Sequence, residues 1–129
     1  MKQGSDLHGT HNCAQCVLMA LNDKVGMTQE EAVRCGAPFG TGISGLREVC
    51  GCVTALAMLA AKTEPVTDAT DAEAKKRQRT LVQQMAEEFR AENGDLVCAR
   101  LKNPAIMGPN MKSCKELIAS AIQIAGKRL

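Results

Sequence analysis

The chain has 129 residues, 16 Lys and Arg against 14 Asp and Glu, and seven cysteines, but no tryptophan, no tyrosine and only two phenylalanines. That length suits a single domain over residues 1–129 that buries a core without disulfide staples, and an odd cysteine count excludes complete pairing within the chain. The net charge of +2 singles out no class of partner.

Read in chain order, the sequence predicts helices joined by glycine-marked turns. A first helix is expected from Asn12 to Lys24, because Cys13, Cys16, Val17, Ala20 and Leu21 recur at helical spacing and Gly26 follows as a stop. Thr28 and Glu31 spell a capping box for a second helix ending near Gly36. The stretch from Gly36 to Gly45 is irregular by composition. A third helix, rich in alanine and leucine, is expected from Val49 to Lys62, followed by a loop from Thr63 to Ala69 that holds Pro65.

Thr70 and Glu73 read as a second capping box. It opens a long helix to Asn93 with a core stripe of Leu81, Val82, Met85 and Phe89, closed by Gly94. A short helical piece carrying Cys98 is expected before Asn103. Asn103 to Asn110, with Pro104, Gly108 and Pro109, reads as irregular. Ser113 and Glu116 make a third capping box, and Leu117, Ile118, Ala121, Ile122 and Ala125 form the buried stripe of the last helix. No segment alternates with period two, so the predicted class is all-α: a compact bundle of about five helices with glycine-rich loops.

The N-terminus, Met1 to Gly9, has no apolar stretch that reads as a signal peptide. The longest apolar run, Ala55 to Ala61, is far short of the roughly 20 residues that span a bilayer. A cytoplasmic location is therefore expected. There disulfides are rare, and clustered cysteines point to metal or redox chemistry.

The cysteines lie at 13, 16, 35, 50, 52, 98 and 114. Thiolates are soft ligands for zinc, copper(I) and iron–sulfur clusters, and they also run thiol–disulfide exchange. Cys13 and Cys16 are about 60° apart on a helix and can face one partner; two small core residues are the plainer alternative. Cys50 and Cys52 would point about 160° apart if both were helical, so they share a site only if the helix starts between them. Cys50 sits at a helix start after a glycine-rich loop, where unpaired N–H groups stabilise a thiolate. Cys52 reads first as core and Cys35 as structural or incidental. Cys98 follows the long helix, and Cys114 opens the last one.

The stretch from Gly40 to Gly45 spells GxGxxG, but no strand precedes it and no βαβ unit follows, so nucleotide binding is not expected. The loop more plausibly lets backbone approach a bound centre closely. His8 and His11 read as solvated rather than as ligands, and Val17 after Cys16 disfavours haem attachment. Lys75, Lys76, Arg77 and Arg79 are interleaved with no aromatics and read as a solvated face, not a nucleic-acid site.

These landmarks resemble the redox-active protein family labelled C-GCAxxG-C-C, which has four characteristic cysteines. Asn12-Cys13-Ala14-Gln15 resembles its opening. Gly45 to Ala55, containing Val49-Cys50-Gly51-Cys52, resembles its central motif, with Cys52 where alanine and Ala55 where glycine is usual. Cys98 and Cys114 match its two later cysteines. The resemblance implies that Cys13, Cys50, Cys98 and Cys114 converge as redox and ligand residues, with Cys16 and Cys52 as candidates to join them.

The expected function is to bind a metal centre, foremost an iron–sulfur cluster, through these four cysteines for electron transfer, since four thiolates suffice for such a cluster. One alternative is a metal-free thiol–disulfide protein with Cys50 as the activated thiolate. Another is a structural zinc-binding interaction module on the same ligands. A redox partner protein of unknown identity is expected, with neither nucleic acid nor membrane insertion. A homodimer is left open. No Ser/His/Asp or paired-carboxylate arrangement points to a defined substrate.

Overall fold

Four helices enclose the core, and the candidate site forms where three of them and a short fifth helix begin. In the computed structural model, which describes residues 9–129, the helices are α1 (Cys13–Leu21), α2 (Gln29–Gly36), α3 (Gly51–Thr63), α4 (Ala72–Asn93), α5 (Cys98–Leu101), α6 (Pro104–Met107) and α7 (Cys114–Arg128). Helix α1 packs on α3 and α7, α4 packs on the same two, and α2 leans on α1. The expectations for His8 and for the segment before Gly9 lie outside the described residues.

With so few rings, the core is assembled from aliphatic and small residues. Leu18, Leu56, Leu59, Met85, Phe89, Ile118 and Ile124 are buried. Each large apolar side chain contributes about 1.5–3 kcal/mol by leaving water. Between them lie Ala14, Ala55, Ala60, Ala121 and Ala125, all buried, which let the helix backbones approach closely. The buried Asn93 is partnered: it donates to the Ser120 hydroxyl at 2.9 Å and accepts from the Lys112 ammonium at 2.9 Å. Phe89 is fully buried, as the predicted α4 stripe requires, while Leu81 and Val82 are half-buried at its edge.

The all-α class holds, but the count is seven α-helices among the described residues, not about five. The difference lies in α5, the short piece expected around Cys98, and in α6, which was not expected; each has four residues, too few to show a helical period. Helix α6 falls in the stretch read as irregular, where Pro104 occupies the first turn and Asn103 caps it. Two of the three expected capping boxes form, at Thr28/Glu31 and Ser113/Glu116. The box at Thr70/Glu73 does not. Asp71 caps α4 through the Ala74 N–H at 3.0 Å, while Thr70 turns back to the Asp68 carboxylate. An aspartate one residue later competes successfully for the N-cap because its carboxylate is also favoured at a positive helix end.

One non-helical contact matters for the site. Val49 and Val97 form an isolated antiparallel bridge, with Cys50 N–H donating to Leu96 O at 2.8 Å and Cys98 N–H to Glu48 O at 2.7 Å. No described helix is long and apolar enough to cross a membrane.

Candidate redox site at four helix starts

Each of the four cysteines that the resemblance singles out stands at the beginning of a different helix. Cys13 is the first residue of α1, Cys50 the N-cap of α3, Cys98 the first residue of α5 and Cys114 the first of α7. Local sequence explains each position. Asn12 and Gln15 form a capping box, with Asn12 Oδ1 accepting from Gln15 N–H at 2.8 Å and Gln15 Oε1 from Asn12 N–H at 2.9 Å. The same two side chains bind the end of α2, through Asn12 Nδ2 to Gly36 O at 3.0 Å and Gln15 Nε2 to Val33 O at 2.9 Å. The Asn-Cys-Ala-Gln opening thus starts α1 and fastens it to its neighbour.

Cys50 has extended backbone, φ −56° and ψ 137°, so α3 begins between Cys50 and Cys52. That is the condition under which the two thiols can share a site. Gly51 between them allows the approach of α1: a Cβ there would lie 2.6 Å from Phe39 O and 3.2 Å from Ala14 N. Cys98 is brought alongside by the Val49–Val97 bridge, and the Asp95 carboxylate accepts from Leu96 and Val97 N–H at 2.7 and 3.0 Å. Cys114 follows Ser113, whose hydroxyl accepts from Glu116 N–H at 3.2 Å.

The four cysteines line one cavity of about 270 Å³, together with Asn12, Thr41, Gly42, Arg47, Gly51 and Lys102. Its loop wall has an unusual backbone. Thr41, Gly42, Ile43, Ser44 and Gly45 all have positive φ, and so does Arg47. Left-handed conformation costs a non-glycine residue roughly 1–2 kcal/mol. The loop is tied by Arg47 N–H to Thr41 O at 3.1 Å and Glu48 N–H to Gly42 O at 3.0 Å, and by the Ser44 hydroxyl to Pro38 O at 2.7 Å. The GxGxxG stretch is thus a left-handed turn against the thiols.

The thiols differ in how firmly they hold their protons. The Cys50 thiol is pulled below its ordinary value by hydrogen bonding from the Cys52 thiol, and the backbone N–H groups of Cys52 and Val53 add to this against the penalty of burial. Cys52 is pushed well up by hydrogen bonding to the Cys13 and Cys50 sulfurs and by burial. Cys114 is likewise raised, chiefly by hydrogen bonding to Cys13 and by burial, with Lys102 opposing. Burial and the Cys50 charge raise Cys98, while Arg47 and Lys102 pull the other way.

Cys52 is fully buried, yet its thiol reaches Cys13 and Cys50, so it is both core and neighbour of the site. Cys16 is fully buried, donates to His11 O at 3.7 Å and does not line the cavity. Cys35 is exposed on α2. His11 hydrogen-bonds through Nδ1 to the Thr10 hydroxyl at 2.7 Å. Sequence reasoning missed Arg47 and Lys102. The available signal for Lys102 was its place four residues after Cys98, one helical turn on.

The donor set suits a soft metal or an iron–sulfur group: four thiols at helix starts, with two cations in the same wall. Among the described residues no three His, Cys, Asp or Glu side chains are grouped so as to hold one metal ion. No curated protein and no solved structure matches the chain. The family model described as "Putative redox-active protein (C_GCAxxG_C_C)" matches residues 11–128 of 129, spanning all four of these cysteines, and the chain belongs to that family.

Proposed function

We propose that the protein binds an iron–sulfur cluster through Cys13, Cys50, Cys98 and Cys114 and serves in electron transfer. The observation that carries this reading is that the four family cysteines, each at the start of a different helix, line one cavity of about 270 Å³. The N-termini of α1, α3 and α7 present partial positive charge, which lowers the cost of gathering several thiolates. A bound cluster would supply one-electron chemistry. The chain's part is to hold four soft donors, to offset their charge with helix ends and cations, and to exclude bulk water with the left-handed loop and the helix starts.

A second reading is favoured by one observation: Cys50 is held below its ordinary range by Cys52 and two backbone N–H groups. In this reading Cys50 and a neighbouring thiol pass to a disulfide, releasing two protons and two electrons to an oxidised partner thiol pair, which becomes a dithiol.

The test is iron and sulfide content and the visible spectrum of protein purified without oxygen. With no tryptophan or tyrosine, the chain scarcely absorbs in the near ultraviolet, so a cluster dominates the spectrum. Iron and sulfide bound in the wild type and lost in Cys50→Ala support the cluster. Colourless, metal-free protein after anaerobic reconstitution, with Cys50 alkylated fast well below pH 8.5, sinks it in favour of the dithiol. Stoichiometric zinc without sulfide sinks both.

A further inference from the structure

We infer that Arg47 and Lys102 are the counter-charges of the thiol cavity, two cations that set the electrostatic potential at Cys98 and Cys114. The inference rests on the proposed reading, in which the four thiols work as thiolates. Both cations line the cavity, and no Asp or Glu lines it with them. Arg47 makes no ion pair among the described residues. Its backbone sits at φ +58°, a conformation costly for arginine, at the point where the loop meets Cys98: Ala99 N–H donates to Arg47 O at 3.2 Å.

Lys102 is held rather than free to swing into solvent. Its ammonium donates to Lys112 O at 2.9 Å, and the Lys112 ammonium is itself fixed on Glu92 O at 3.0 Å and Asn93 Oδ1 at 2.9 Å. This chain of hydrogen bonds runs from the end of α4 to the cavity wall. The nearby acids are engaged elsewhere. Glu116 closes the Ser113 capping box at 3.1 Å, and Asp95 holds Leu96 and Val97 N–H and pairs with Arg100 at 3.6 Å. No carboxylate stands in the cavity lining beside these two like charges, so negative charge gathered there meets cations and no opposing acid. Thiolates supply that charge.

The test uses the full chain, reduced and metal-free, with the exposed Cys35 replaced by serine. Alkylation of Cys98 and Cys114 is followed by peptide mass spectrometry with anionic iodoacetate and with neutral iodoacetamide. Both reagents attack the thiolate, so their rate ratio cancels the fraction ionised and reads the local potential alone. The expected ratio of iodoacetate to iodoacetamide exceeds that of the urea-unfolded chain and falls about three- to tenfold in Arg47→Met and in Lys102→Met. It should be retained in Lys102→Arg and should shrink between 10 mM and 500 mM salt.

A ratio equal to the unfolded chain's, or one unmoved by either methionine variant, overturns the inference. Should the variants fail to fold, a salt-independent ratio in the parent protein overturns it equally, and a salt-dependent one supports it. Iron and sulfide assays report on the proposed function separately. A metal-free protein with a charge-dependent ratio keeps the counter-charges and loses the cluster; a loaded protein with a flat ratio does the reverse. Where iron is bound, Lys102→Met should also lower the midpoint potential and Lys102→Arg should preserve it.

Discussion

In the interior of the bundle, Phe89, Leu56, Leu59 and Ile124 are sealed from water on regular helices. At the cavity end the backbone runs through five consecutive residues of positive φ, and the groups brought together are thiols, an arginine and a lysine. The first region is stabilised by burial, which is non-directional and tolerant of exchange among similar shapes. The second works against local preference: left-handed threonine, isoleucine and serine and partly buried thiols each cost free energy. Strain of this kind persists only where the surrounding structure over-determines it, and it clusters at functional sites. The interior thus supplies the stability that the cavity end uses.

Breaking the interior should have the largest effect. Phe89→Ala removes the one fully buried ring and should lower unfolding free energy by about 3–5 kcal/mol in urea titration. The order in which the folded protein's cysteines react with alkylating reagent should not change. A reordering in the still-folded variant would mean that core and cavity are not separable.

A smaller effect should come from the cavity wall. A Cβ on Gly42 would lie 2.7 Å from Arg47 Cα and from Glu48 N, on a backbone with φ +64°. These are backbone atoms and cannot swing aside. Gly42→Ala should therefore cost at least about 1–2 kcal/mol. Because Arg47 and Glu48 carry the pairing to Cys98 and Ala99, Cys98 should also become faster to alkylate. Unchanged reactivity of Cys98 would show that the loop does not hold it.

The smallest effect at neutral pH sharpens the boundary between the regions. Cys16 lies one helical turn into the bundle from Cys13, and burial, with the nearby Cys13 charge, pushes its thiol from 9.0 up to about 11. Its folded-state value lies above the unfolded one, so its contribution to stability is complete below pH 9 and is lost as pH rises towards 11. Thermal melts of the metal-free protein should fall over that window, and the fall should be shallower in Cys16→Ala. An equal slope in both proteins would place the alkaline loss in the raised thiols of Cys52 and Cys114 instead.

The opening of α1 at Cys13, the capping boxes at Thr28 and Ser113, the stop at Gly94 and most of the buried stripes of α4 and α7, with Ile124 buried where Ile122 was expected, could be read from sequence, because each depends on residues within a few positions of one another. The four cysteines could be named in the same way, as positions in a linear pattern. Their meeting in one cavity could not be read, since it depends on pairing between Val49 and Val97, 48 residues apart, and on α1 approaching α3 across Gly51. Cys52 illustrates the limit. Spacing put it opposite Cys50 on a continuous helix, but α3 begins at Gly51 and the buried Cys52 thiol hydrogen-bonds to Cys50. Arg47 carries no local pattern that marks it as a cavity residue, and the only local mark of Lys102 is its place one helical turn after Cys98. Local chemistry determined where helices begin and end and which faces are apolar. Only long-range packing decided which helix starts meet, because contacts between residues far apart in the chain leave no period and no motif in the sequence.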